Sequence, residues 1–259
     1  MIIVVINIRL NSDINIIEER RFYDFGLDDA FPYDDYGHGT HVAGIAASHV
    51  LGAARKAKIL ATKFGAGFGF DIASVVGAVK YSVDSGAKVL NMSFGWQEDY
   101  EVMYEAIAYA KDKNVLVVAA SGNDGLSNDK VSSYPCNYEL DNVISVASSN
   151  EKNELTSYSN FGKKVHIAAP GGSRDKMIVS ASKSNPKNNL LIGMMGTSMA
   201  SPLVAGVAAQ VWSANPNLKA SQVKQILLET GTVSESLKPL LVSGVLNAEA
   251  AVAKAIATQ

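Results

Sequence analysis

Three short stretches of this chain carry residues that could do chemistry together. Gly196-Thr197-Ser198-Met199-Ala200-Ser201-Pro202 sets a serine between a glycine turn and a long apolar run. His38-Gly39-Thr40-His41-Val42-Ala43-Gly44 sets a histidine in a similar frame far upstream. Ala119-Ala120-Ser121-Gly122-Asn123-Asp124-Gly125 ends an apolar run on a side-chain amide. A serine hydroxyl becomes a nucleophile only when a base takes its proton, and the oxyanion it creates needs donors already in place. Serine, histidine and asparagine are the residue types for those three tasks. Each also has a plainer use: serine caps helices, a histidine can simply begin one, and Gly-Asn-Asp-Gly makes turns.

The serine and histidine stretches, taken in this order, resemble the subtilisin-like serine proteases, the subtilases. The resemblance runs from Ile2 to about Ala257. It implies Ser198 as nucleophile, His38 as general base, and Asn123 with the Ser198 backbone N–H as oxyanion donors. It also implies a peptide groove. Ser93, Phe94 and Gly95 would pair with an extended substrate on one side, and Gly67, Phe68, Gly69 and Phe70 would form the opposing edge by β-augmentation. Ser121 and Gly122, which precede the asparagine, would bind substrate as well. Phe68 and Phe70 would either shape a pocket for an apolar side chain or fill the core.

One position departs from the pattern. The family ends its first strand on an aspartate that orients the histidine, whereas this chain reads Ile6-Asn7-Ile8-Arg9, with Asn7 at the aspartate position. A carboxylate keeps the imidazole proton on Nδ1 and stabilises the imidazolium. An amide can present N–H instead and favour the wrong tautomer, a change that costs about 10⁴ in kcat in another serine protease. Asp13, Asp34 and Asp35 are the carboxylates that could substitute. Two functions follow as expectations: an endopeptidase of weakened activity, or a peptide-binding or regulatory module that no longer cleaves.

His41 lies among Val42 and Ala43 and reads as buried and structural; His49 and His166 receive no role. Relatives with a tight calcium site carry an insertion after the histidine motif. Here Ala47-Ser48-His49-Val50-Leu51-Gly52 passes directly into Ala53, so no tight calcium site and no cofactor are expected. The expected partner is an extended peptide or protein, with a prodomain or inhibitor entering the same groove.

These groups need a scaffold that brings distant stretches together. Near-continuous β-branched runs at Ile2–Ile8, Lys58–Lys63, Val89–Phe94, Val115–Ala120, Val143–Ala147 and Val165–Ala169 suit strands buried on both faces. Helical patterns alternate with them at Thr40–Val50, Ile72–Ser85, Tyr100–Lys113, Ser198–Ala214, Ser221–Glu229 and Ala248–Ile256, the fifth with Ser221 as N-cap. The alternation predicts one α/β domain over 1–259, doubly wound, with a mostly parallel central sheet and helices on both faces. Ligands in such sheets gather at the carboxyl ends of strands, where Asn7, Ser93 and Asn123 fall.

Composition narrows the partners. The 259 residues hold 23 basic and 25 acidic side chains, net −2, with no basic footprint for nucleic acid or an anionic membrane. No run reaches the ~20 apolar residues of a membrane span. The apolar start lacks a basic n-region and reads as a strand rather than a signal peptide. Cys136 is the single cysteine, which suits a reducing compartment without excluding secretion of a trimmed domain.

Overall fold

The computed structural model describes residues 2–6, 14, 16–17, 23–66, 69–183 and 191–259. Its centre is a seven-stranded sheet, every pair in it parallel. The chain runs β1 (Ile2–Ile6), β2 (Tyr23–Asp24), α1 (His38–Ala47), β3 (Lys58–Lys63), β4 (Gly65–Ala66), β5 (Gly69–Phe70), α2 (Ile72–Asp84), β6 (Val89–Met92), α3 (Glu101–Asp112) and β7 (Leu116–Ala120). It continues through β8 (Val143–Ser149), β9 (Ile167–Pro170), β10 (Ile178–Ala181), β11 (Leu191–Met194), α4 (Thr197–Ala214), α5 (Ala220–Glu229) and α6 (Ala248–Ala257). The sheet order is β2-β3-β1-β6-β7-β8-β9.

Period-2 alternation in strands that are apolar on both sides builds two cores. Ile59, Val89, Leu116, Val118, Ile144 and Ile167 face one way and pack with α1, α4, α5 and α6. Leu60, Leu90, Met92, Val117 and Ala119 face the other way and pack with α2 and α3. Helices therefore cover both faces, as the strand–helix alternation predicts. From β1 the chain winds outward to β3 on one side and to β6 on the other, so the winding reverses between β1 and β6. A crevice opens at the carboxyl ends of strands where the winding reverses.

Helix α4 runs through the middle of the first core. Its Met199, Ala200, Val204, Ala205 and Ala208 are buried, and the alanines let it lie close against α1 and the sheet. Two antiparallel pairs stand outside the main sheet: β4 with β5, and β10 with β11. The β10–β11 pair locks onto α1 through His41, whose Nε2 lies 3.0 Å from both the Ile178 and the Ile192 carbonyl oxygens. His41 is fully buried, as its apolar neighbours predict.

Helix boundaries differ in two informative places. The first helix starts at His38, not Thr40, because the turn before it is fixed from outside the helix. The fifth starts at Ala220, and Ser221 is not its cap. Lys219 takes that position, its N–H donating to Gln222 Oε1 at 2.8 Å, while the Ala220 N–H is taken by Asn114 Oδ1 at 2.7 Å. Helix α1 ends at Ala47, and Ser48 Oγ caps the turn into Ala53 by accepting from Leu51 and Gly52.

Candidate active site

The Gly196–Ser198 turn, the end of β6 and the loop after β7 meet around one cavity of about 340 Å³. Phe94, Gly95, Trp96, Gly122, Asn123, Leu126, Thr197 and Ser198 line it. Ser198 is the second residue of α4 and is half-buried, its hydroxyl resting on the Ser93 carbonyl at 3.2 Å.

Asn123 is oriented from one side. Its Oδ1 accepts the Thr197 backbone N–H at 2.8 Å and the Thr197 hydroxyl at 3.0 Å. A backbone N–H can only donate, so the atom facing it is the oxygen, and the amide orientation follows from the network. The two Nδ2 hydrogens are left over; among the described residues they have no partner. Gly122 makes the approach possible. It sits at φ 112°, and a Cβ there would come within 2.4 Å of Asn160 Nδ2. Asn160 holds the loop beyond, accepting from the Asp124 and Leu126 N–H groups at 3.0 and 3.1 Å.

His38 is the first residue of α1, half-buried, directly after Gly37 at φ 97°. Burial lowers its imidazole below the ordinary 6.5, and the nearby Asp34 charge opposes that. Asp34 is itself buried. Its Oδ1 accepts from Tyr36 and Gly37 N–H at 3.1 and 2.6 Å, and its Oδ2 from Thr40 N–H and Oγ1 at 2.9 and 2.6 Å. The carboxylate thus caps the start of α1 from four residues before its first residue, where a negative charge is favourable.

A substrate-sized aromatic wall stands beside the cavity. Phe94 stacks on Trp96 with centroids 5.9 Å apart and 20° between planes. Phe64 meets Phe94 edge-on at 4.8 Å, and Phe70 reaches Phe64 at 5.3 Å. Phe70 therefore belongs to this wall while staying 39% exposed. The backbone of Trp96 pairs with Tyr134, at 3.0 and 2.7 Å, which fixes the Ser93–Trp96 segment from its far side. The lone Cys136 offers no rival nucleophile; burial pushes its thiol up to about 11.

The subtilase family profile matches residues 9–247. The chain belongs to the subtilase family. This subtilase is 37% identical over 224 residues to subtilisin BL from Lederbergia lenta, a match covering 84% of the chain and 78% of that relative. It is 40% identical over 205 residues to a cell wall-associated protease from Bacillus subtilis, covering 76% of the chain but only 21% of that longer protein. Among solved structures, a protease from Pseudoalteromonas arctica superposes with a TM-score of 0.86 at 27% identity, over 98% of this chain and 89% of the other. A cold-adapted subtilisin-like serine proteinase superposes at 0.79 and 26%. The expected α/β fold is the subtilisin fold.

Several expected site residues need correction or lie elsewhere. Asp34 cannot serve His38 Nδ1 as it stands: its four acceptor positions already hold four donors. Asp35 is turned away, its carboxylate on Lys63 Nζ at 2.8 Å in a cluster with Asp24. Ser121 is fully buried, its hydroxyl on the Asn160 carbonyl, and lies beneath the cavity rather than on its wall. Gly69 is exposed on β5, paired with Ala66. Asn7, Asp13, Gly67 and Phe68 lie outside the described residues. Thr197, Asn91, Ser201, Asn160 and Trp96 are further site residues that no motif singles out. Thr197 and Ser201 lie within the Gly196–Pro202 stretch, so proximity to Ser198 is the one signal the sequence offers for them.

Proposed function

We propose that this subtilase is a serine endopeptidase that cleaves extended, apolar peptides through an acyl-enzyme on Ser198. The observation that carries the reading is Asn123. Its oxygen is tied to Thr197 and its nitrogen, among the described residues, has no partner and lines the same cavity as Ser198, an arrangement that serves a developing oxyanion. In the reaction His38 takes the Ser198 proton as Oγ bonds to the substrate carbonyl carbon. The carbonyl electrons move to oxygen, facing Asn123 Nδ2–H and the Ser198 N–H. Collapse of that intermediate expels the amine, which leaves with the proton from His38, and water then releases the acyl group by the reverse sequence.

The lowered pKa of His38 keeps it neutral, and so able to accept a proton, at neutral pH. Ser93–Gly95 offers its backbone to the substrate, with the Phe94–Trp96 wall beside the cavity receiving an apolar side chain. A propeptide or protein inhibitor would enter by the same groove. No bound metal or cofactor enters any step. In the sequence, Asn7 takes the position at which the family pattern has an aspartate to stabilise the imidazolium, and the proposed turnover is therefore lowered by about 10⁴, the cost of that loss in serine proteases. Cleavage of an apolar peptide p-nitroanilide tests the assignment. Release of the chromophore should disappear in Ser198→Ala and His38→Ala; release that persists in Ser198→Ala would overturn it.

A further inference from the structure

A buried polar network joins the nucleophile's helix to the substrate-side strand, and a proline explains why it exists. In α4 the carbonyl of Ser198 would be met by the N–H of residue 202, but residue 202 is proline, which has none. Ser93 Oγ takes that place, donating to the Ser198 carbonyl at 2.9 Å. A carbonyl can only accept, so the single Ser93 proton is committed there, and Ser93 Oγ must itself accept from Asn91 Nδ2 at 2.9 Å. That fixes the Asn91 amide, whose Oδ1 then accepts Ser201 Oγ–H at 2.8 Å. Asn91, Ser93 and Ser201 are 2%, 8% and 0% exposed, so water does not substitute for these bonds.

We infer that Asn91 and Ser93 are positioning residues for the proposed hydrolysis. Together they clamp the first turn of α4 at Ser198 and again at Ser201, one turn on. The clamp sets the register between the nucleophile and the Ser93–Gly95 backbone on which substrate would lie. Pro202 makes the clamp obligatory by orphaning the carbonyl that Ser93 satisfies. The return bond, Ser198 Oγ to the Ser93 carbonyl, ties the same two residues in the opposite direction. The side chains act through Ser198 and touch no substrate.

The inference rests on the endopeptidase reading, and a double-mutant cycle on peptide hydrolysis separates the two. Ser93→Ala should lower kcat about tenfold, the cost of a buried unmet acceptor, with KM held within about twofold. In a Pro202→Ala background the helix supplies its own N–H, so the same Ser93→Ala change should cost about threefold or less. Ser93→Thr, which keeps the hydroxyl, should retain at least about a third of parent kcat. Ser201→Ala, which removes the second tether together with the longer bond from the same hydroxyl to the Val118 carbonyl at 3.2 Å, covers the case in which Ser93→Ala fails to fold, and should lower kcat about threefold at constant KM. Equal losses from Ser93→Ala with and without Pro202, or an effect on KM alone, would overturn the clamp. A parent that neither turns over peptide nor labels at Ser198 would contradict the protease reading instead. The same cycle read on the unfolding equilibrium then decides the clamp, with additive effects of Ser93→Ala and Pro202→Ala ruling it out.

Discussion

Thr197 grips Asn123 by a single oxygen, with its backbone N–H at 2.8 Å and its hydroxyl at 3.0 Å both ending on Oδ1. The same hydroxyl accepts the Gly122 N–H at 3.3 Å, so one threonine orients the amide and the loop that carries it. Asn123→Ala should lower kcat by about 10²–10³ with little change in KM, the loss established for such a donor in a subtilisin. Thr197→Val keeps the N–H and deletes the hydroxyl with both of its bonds, to Asn123 and from Gly122; it should cost about tenfold in kcat. Steady-state kinetics on one peptide substrate reads both, and a loss in KM alone would place the amide in ground-state binding.

The acid limb of the rate profile should report His38. Burial lowers its pKa and the Asp34 charge raises it, the first effect being the larger. The base is lost as pH falls and the imidazole protonates, so the limb of kcat/KM should lie below 6.5. Removing the Asp34 charge in Asp34→Asn should move the limb lower still, together with a fall in plateau rate as the turn before α1 loosens. A limb displaced upward would contradict the placement of Asp34 beside His38.

Acid should destabilise the fold partly through His166, remote in role from the site. Its Nδ1 accepts the Ser145 N–H at 2.9 Å, and burial pushes its pKa down to about 3. Below 6.5 the unfolded chain binds a proton that the folded chain refuses. Stability is therefore lost as pH falls through 6.5 and continues to fall to about 3, by about 1.4 kcal/mol per unit. Between pH 8 and pH 5 the parent should lose about 2 kcal/mol more than His166→Asn, measured by urea unfolding at both pH values. Equal losses would mean that the imidazole is protonated in the native state.

Chelation should matter little. The chain turns directly from α1 through Ser48–Gly52 into Ala53, the short connection on which the expectation of no tight calcium site rests. EDTA should shift Tm by less than about 4 °C, the equivalent of ~1 kcal/mol. A site held at 1,000 times its Kd would contribute about 4 kcal/mol and a shift of roughly 8–16 °C.

Local sequence carried the sheet and the helices because burial on both faces leaves uninterrupted runs such as Leu116–Ala120 and Val143–Ser149. It did not carry the two-residue strands β2, β4 and β5, which have no room for a period. Nor did it carry the β10–β11 pair, whose exposed Val179, Leu191 and Ile192 give no clean alternation. The start of α1 at His38 is not legible locally, because its cap, Asp34, lies outside the helix it caps. Among site residues, Ser198, His38 and Asn123 announce themselves by their motifs. The partners that hold them do not: Ser201 and Asn91 are 110 positions apart, and only the fold brings them to 2.8 Å.

Every step of the proposed hydrolysis requires Ser198 to be an activated nucleophile. A fluorophosphonate probe tests it directly, with the adduct mapped by mass spectrometry in the parent and in Asn7→Asp. One adduct per chain is expected, on Ser198, abolished by His38→Ala and formed at least a hundredfold faster in Asn7→Asp. No adduct in either protein, or an adduct on another serine, would contradict it.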